Sequence, residues 1–268
     1  MKATLLLFSL SIFLCLAATP AAAQNLESDL NSRYKDKILI FRSPFAANSL
    51  EFDPSGNPVK ANQTGPWSIC SRIEVKKLHL HSNKLEIEGK RLALQFNGHE
   101  LVPADIDQGV KITLHLDHPL SSAADAETRL GTVFVTDPEA IIASAPAFWR
   151  DYLKDPSIIR YNIKDLPDPA PGVEKIENKG VKPPKPRYTP EPEFNDLSRK
   201  FRYQGSALFS AIVNKQGVPE EIKVIRPLGF GLDEQSVEAI RRWRFQPGTK
   251  DGSPVAIFMG IEMSFYLR

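Results

Sequence analysis

Apolar and polar positions alternate most regularly at the end of the chain. Val255, Ile257, Met259, Ile261, Met263, Phe265 and Leu267 fall at every second position, with Ala256, Phe258, Gly260, Glu262, Ser264 and Tyr266 between them. A period of two over this length predicts a strand with one wholly apolar face. A long, regular edge of this kind can accept an extended segment of another protein as a further strand, which points to binding rather than catalysis. Upstream, Gly205 opens a strand in which Ala207, Phe209, Ala211 and Val213 alternate, and Asn214-Lys215-Gln216-Gly217 turns the chain. Ile222 and Val224 continue on a second strand. Leu232, Ser236, Ile240 and Trp243 then recur at helical spacing, with Asp233 and Glu234 in the first turn, where the helix dipole favours acids. Lys250-Asp251-Gly252 turns into the last strand. The unit reads as a helix packed on a three-stranded antiparallel sheet.

The earlier part of the chain has shorter periods. Leu26, Leu30 and Tyr34 mark a short amphipathic helix, and from Ile38 to Val135 the pattern is mostly β. Ile73 and Val75, Leu85 and Ile87, and Val110, Ile112, Leu114 and Leu116 each predict a half-buried strand. Asn97-Gly98 is a strong hairpin signal. Several short strands at this spacing predict a small sandwich or a barrel, and the pattern does not choose between them. Pro138 to Leu153 reads as a helix closing the domain, kinked or split by Pro146.

Composition adds two things. Hydrophobic content of 42% and charged content of 25% are ordinary for a globular protein, and a net charge of +2 gives no general attraction to nucleic acid. Proline is unusual, with 22 residues and a cluster between Leu166 and Pro192 that carries few large apolar side chains. Such a stretch is expected to be an extended, semi-rigid spacer.

The N-terminus predicts export. Lys2 precedes an apolar run from Leu5 to Ala18, Pro20 breaks it, and Ala21-Ala22-Ala23 fits a small-residue cleavage site with Gln24 as the mature start. A helix from Ala3 to Ala18 would be roughly 24 Å long, short of the ~30 Å hydrocarbon core. A cleaved signal is therefore expected, with a retained anchor as the alternative. Cleavage would remove Cys15 and leave Cys70 as a single thiol, read as a buried small apolar residue.

The chain thus divides into a signal at 1–23, a β-rich domain at 24–160, a Pro-rich spacer at 161–187 and a C-terminal domain at 188–268, an α+β class overall. The residues of that last unit resemble the C-terminal domain of the TonB family, periplasmic proteins that couple inner-membrane energy to outer-membrane transporters. The likeness runs through Pro192-Glu193-Phe194, Gly205, the turn ending at Gly217, Gly231-Leu232-Asp233-Glu234, Arg241-Arg242-Trp243-Arg244-Phe245-Gln246-Pro247 and Asp251-Gly252. An export signal followed by a Pro-rich spacer agrees with the family's layout. A β-rich domain of unassigned role stands where the family usually has only spacer.

The resemblance implies that the domain captures a short extended segment of an outer-membrane TonB-dependent receptor by strand addition. The receiving edge would run from Val255 to Phe265, with Thr189, Pro190 and Glu191 near the captured segment. Trp243 and Phe245 are expected in the core. Inner-membrane motor proteins are a further implied partner, and the implied location is the periplasm of a Gram-negative bacterium, with inner-membrane anchoring as the alternative. The rival to energy-coupled transport is an envelope scaffold or ligand-binding protein.

Other motifs carry less. His79 and His81 share a strand face, with His115 and His118 the nearest groups to complete a metal site, but a solvated strand face is the simpler reading. Gly229-Phe230-Gly231 precedes a helix, yet Asp233 would repel phosphate there. No Ser-His-Asp, Cys-His or paired-carboxylate set assembles, so no enzyme activity, cofactor or metal is expected.

Overall fold

The computed structural model describes residues 20–156 and 168–267. Most of the expected signal segment and residues 161–167 of the expected spacer lie outside the described residues. The first half comprises α1 (Pro20–Tyr34), β1 (Ile38–Phe41), β2 (Ser49–Phe52), α2 (Trp67–Cys70), β3 (Arg72–Leu80), β4 (Lys84–Phe96), β5 (Leu101–His115), α3 (Ala123–Val133), β6 (Phe134–Val135), α4 (Pro138–Ser144) and α5 (Ala147–Lys154). Its strands form one six-stranded sheet in the order β2-β5-β4-β3-β1-β6, antiparallel except for the parallel pair β2–β5. The alternating residues Phe41, Phe52, Ile73, Val75, Leu85, Ile87 and Ile112 all bury on one face. They are joined there by Leu30 of α1 and by Ala126, Leu130 and Val133 of α3.

This corrects the expected sandwich or barrel. Alternation shows that one face is covered but does not say by what, and here helices cover a single sheet. The covering helix α3 carried a local signal, since Ser122 caps it by accepting a hydrogen bond from the Asp125 amide. Pro146 splits the following helix into α4 and α5, because its ring and missing N–H cannot continue the ladder.

The second half comprises β7 (Glu174–Lys175), β8 (Val181–Lys182), β9 (Lys185–Tyr188), α6 (Asp196–Lys200), β10 (Gly205–Val213), β11 (Pro219–Arg226), α7 (Leu232–Arg242), β12 (Arg244–Gln246), β13 (Thr249–Lys250), β14 (Ser253–Pro254) and β15 (Ile257–Phe265). Its main sheet runs β11-β10-β15-β7. The expected antiparallel trio is present, and a fourth strand, β7, joins it in parallel. The described part of the expected spacer is not a free extended rod: it turns between short strands that lie along the domain. There β8 pairs with β13 and β9 with β12. Composition predicts extension, not what such a segment lies against.

The two halves share a core. Ala207, Phe209, Ala211, Leu232, Val237, Ile240, Ile261, Met263 and Phe265 pack together with Trp67, Leu94, Phe148, Trp149 and Tyr152 of the first half. The outer part of the β4–β5 hairpin crosses over as an arm. The Phe230 amide donates to the Leu94 carbonyl at 2.8 Å, and the Phe96 amide to the Leu228 carbonyl at 2.9 Å. Gly229 is required at this crossing, because a Cβ there would sit 2.3 Å from the Leu94 oxygen and φ is +97°. The helix expected to close the first domain therefore covers the second sheet, and Lys223 of β11 meets Asp151 of α5 at 2.8 Å.

Among the described residues no helix is long and apolar enough to cross a membrane.

Candidate functional site

β15 pairs along its whole length with β10, from Val213↔Ile257 to Gly205↔Phe265. Among the described residues its other edge is occupied only at its start, where β7 pairs Glu174 with Ile257 and Lys175 with Phe258. The Glu174 amide donates to the Ala256 carbonyl at 2.9 Å, so Ala256 turns its backbone polar groups toward β7. Because these groups alternate sides along a strand, Phe258, Gly260, Glu262 and Ser264 face the same way. From Met259 to Phe265 that edge carries no strand among the described residues.

Beside the open stretch lies a groove of about 690 Å³. One wall is Met259, Glu262, Met263, Ser264, Phe265 and Tyr266, and the other is Pro186 and the run from Thr189 to Pro192, with Phe194, Trp243 and Phe245 at the apolar end. The opposite wall is fixed in place: β9 pairs with β12, and the Trp243 indole N–H donates to the Pro190 carbonyl at 2.9 Å. Trp243 is half-buried and makes an edge contact with the buried Phe245 ring, their centroids 6.0 Å apart. It therefore touches core and groove alike. The Glu262 carboxylate accepts hydrogen bonds from Ser206 Oγ at 2.8 Å and from the Arg226 guanidinium at 3.0 Å, which fixes its side chain.

The structure thus brings together Thr189, Pro190 and Glu191 with Met259, Glu262, Met263, Ser264 and Phe265, and Gly260 lies on the open edge between them. Ile261 is buried in the shared core. The first third of the expected edge is placed differently. The Val255 amide donates to the Gly248 carbonyl, and β7 occupies Ala256 to Phe258. The Phe258 ring packs with Leu208 and Ile225 on the face away from α7. Sequence reasoning missed β7 and the groove residues Pro186, Phe194 and Tyr266. Glu174 and Lys175 have no strand preference that would betray a two-residue pairing.

The motif residues have structural causes. A Cβ on Gly217, whose φ is +83°, would lie 2.0 Å from the Phe245 carbonyl, and the Phe245 amide donates to the Gly217 carbonyl. A Cβ on Gly205 would meet Leu228. Leu232 is fully buried, and Pro247 follows β12 and ends it. Asp233 is fully buried and accepts from the Leu228 amide at 2.9 Å and the Gly229 amide at 2.5 Å, pinning the loop that meets the hairpin arm. Burial, then the neighbouring Glu234 charge, push its carboxyl up to about 8 against those two amides. Glu234 ties the halves together, accepting from the Ser68 amide and hydroxyl and from the Trp149 indole.

The histidines do not converge. His79 lies 3.8 Å from Glu88 and His115 3.7 Å from Glu51, and among the described residues no three His, Cys, Asp or Glu groups are placed to hold a metal.

Residues 190–267 match the family model described as Gram-negative bacterial TonB protein C-terminal. Protein TonB of Vibrio cholerae serotype O1 is 29% identical over 79 residues, 29% of this chain and 32% of that protein. Protein tonB2 of Pseudomonas aeruginosa is 28% identical over 82 residues, 30% of each. The solution NMR structure of the Pseudomonas aeruginosa TonB CTD aligns with 17% identity and a TM-score of 0.28, over 35% of this chain and 94% of that one. The chain spans about a third of the length of the curated relatives it matches. Residues 190–267 form a TonB-like C-terminal domain.

Proposed function

We propose that this protein binds outer-membrane TonB-dependent receptors by adding an extended receptor segment to the open edge of β15, and that it acts in transport across the envelope from the periplasmic side. The observation that carries this reading is the stretch from Met259 to Phe265, whose outer edge carries no strand among the described residues and lies beside a groove lined by Glu262, Ser264 and the run from Thr189 to Pro192. Backbone pairing supplies affinity in this mode, and pockets for alternate side chains supply selectivity. Met259, Met263 and Trp243 offer an apolar surface to one side of the added strand.

Titration of the full chain with a receptor-derived extended peptide should shift the amides of Gly260, Glu262 and Ser264. Gly260→Pro should abolish those shifts while leaving the β10 ladder paired, since the lost N–H faces the groove. Shifts centred on the outer face of α7 around Arg241 would overturn strand addition.

A second reading, an envelope scaffold or ligand-binding protein without energy coupling, is favoured by one observation. The TonB-like domain shares its core with the first half instead of ending a free spacer. A chain that binds the peptide yet does not support energy-dependent uptake would select it.

A further inference from the structure

We propose that β7 is a built-in register stop for strand addition, an inference that rests on the strand-addition reading above. β7 lies on the same edge of β15 that a partner would use, and it holds that edge at Ala256 and Phe258. It is clasped there from both sides. Glu174 receives the Lys250 ammonium at 2.8 Å and the Asn178 side-chain amide at 2.8 Å, while Lys175 meets Asp168 at 2.5 Å. Lys250 belongs to β13, which is itself paired with β8, so the chain on both sides of Asn178 is tied to the same region. Beyond Phe258 the chain that formed β7 has left the edge, and it returns at Pro186 as the opposite wall of the groove.

The geometry sets a length. An added strand can pair with Gly260, Glu262 and Ser264, and pairing toward Phe258 would require it to enter the space of the Glu174 backbone. At about 3.3 Å per residue the open stretch is roughly 20 Å long, which suits a segment of about six or seven residues. A longer partner gains nothing by extending past Met259. The stop therefore fixes both how much of a partner is gripped and which of its residues face Met259 and Met263, because a shift by one residue would turn every side chain to the other face.

The test uses the full chain and a ladder of end-blocked peptides in which threonine and valine alternate, flanked by lysines, from about four to about twelve residues. Affinity and amide shifts are read for each. For the unaltered protein, affinity should rise with length to about seven residues and then level off, with shifts at Gly260 to Ser264 and none at Ala256 or Phe258. Glu174→Pro removes the N–H that holds Ala256 and the carboxylate that holds Lys250, and should move the levelling point by about two residues and extend the shifts to Phe258. Lys250→Ala loosens the clasp without altering the β7 backbone and should give part of that change. An unchanged levelling point in Glu174→Pro, or release of β7 by peptide in the unaltered protein, would overturn the stop alone. Absence of shifts at Gly260 to Ser264 with every peptide would overturn strand addition and the stop with it.

Discussion

The first sheet closes its core mainly with its own helices, whereas the second needs, beside its own α7, helices and a hairpin arm that belong to the other half of the chain. Leu30, Ala126 and Leu130 cover the first. Trp149, Tyr152 and Leu94 cover much of the second. Two sheets of similar strand pattern therefore differ in independence: the first is covered mainly by its own helices, and the second divides its cover between its own α7 and the other half of the chain.

The severest way to break that comparison is excision. Residues 168–267 alone would lose the packing of Trp67, Leu94, Phe148, Trp149 and Tyr152. At ~1.5–3 kcal/mol for each large side chain left uncovered, the loss rivals the ~5–15 kcal/mol stability of a whole domain. The excised piece should show poorly dispersed amide spectra, while residues 20–135 stay folded. A fragment of residues 168–267 that unfolds cooperatively at the same urea midpoint as the full chain would show the second sheet to be self-sufficient.

A single substitution should act in the same direction more gently. Trp149 is fully buried, lies 5.9 Å from Trp67 between ring centroids and donates its indole N–H to Glu234 at 3.2 Å. Trp149→Ala should cost about 3–5 kcal/mol in urea unfolding. Amide exchange should accelerate through β10, β11 and β15 and stay slow in β3 and β4. Equal acceleration in both sheets would mean that the two cores fail together.

A change of pH should act on the second sheet alone. Asp233 is the one buried carboxyl among the described residues, and from the first turn of α7 it holds the loop that precedes that helix. Burial raises its folded pKa from the ordinary carboxylate range to about 8. The folded state therefore holds a proton that the unfolded state releases, and the associated stability is complete below about pH 4 and lost as pH rises through about 8. Protection of β10 and β15 should fall between about pH 5 and about pH 8.5, with β3 and β4 unaffected, and Asp233→Asn should flatten the profile. A fall of equal size in the Asn variant would assign the effect elsewhere.

The same contrast explains what the sequence could show. The period of two in β15 and the helical spacing of Leu232, Ser236 and Ile240 located the C-terminal elements, because each side of those elements faces a different environment. The motif Arg241 to Pro247 pointed to a family, and Thr189 to Glu191 to the groove's far wall. The apolar stripe of α5 said only that something is buried, and nothing in Phe148, Trp149 or Tyr152 names the sheet they bury against. Coverage of the first sheet by α3 was signalled by Ser122 and Asp125, yet a cap marks where a helix begins and not where it docks. β7 was invisible for a different reason. Two charged residues held by two backbone pairings and a lysine leave no hydrophobic trace.

The hairpin arm also imposes an order on assembly. Strands β4 and β5 are neighbours in sequence and can pair as soon as both exist, whereas the arm's partners come far later: Tyr203, which meets Phe96, is 107 positions downstream. Contacts of that separation form slowly compared with local ones. During synthesis the first sheet must therefore wait with Leu94 and the outer half of β4 uncovered, offering an exposed apolar hairpin to whatever is near. Newly made chains should depend on holding factors during that interval, and their vulnerability to aggregation should end when Leu228 to Phe230 reaches the arm.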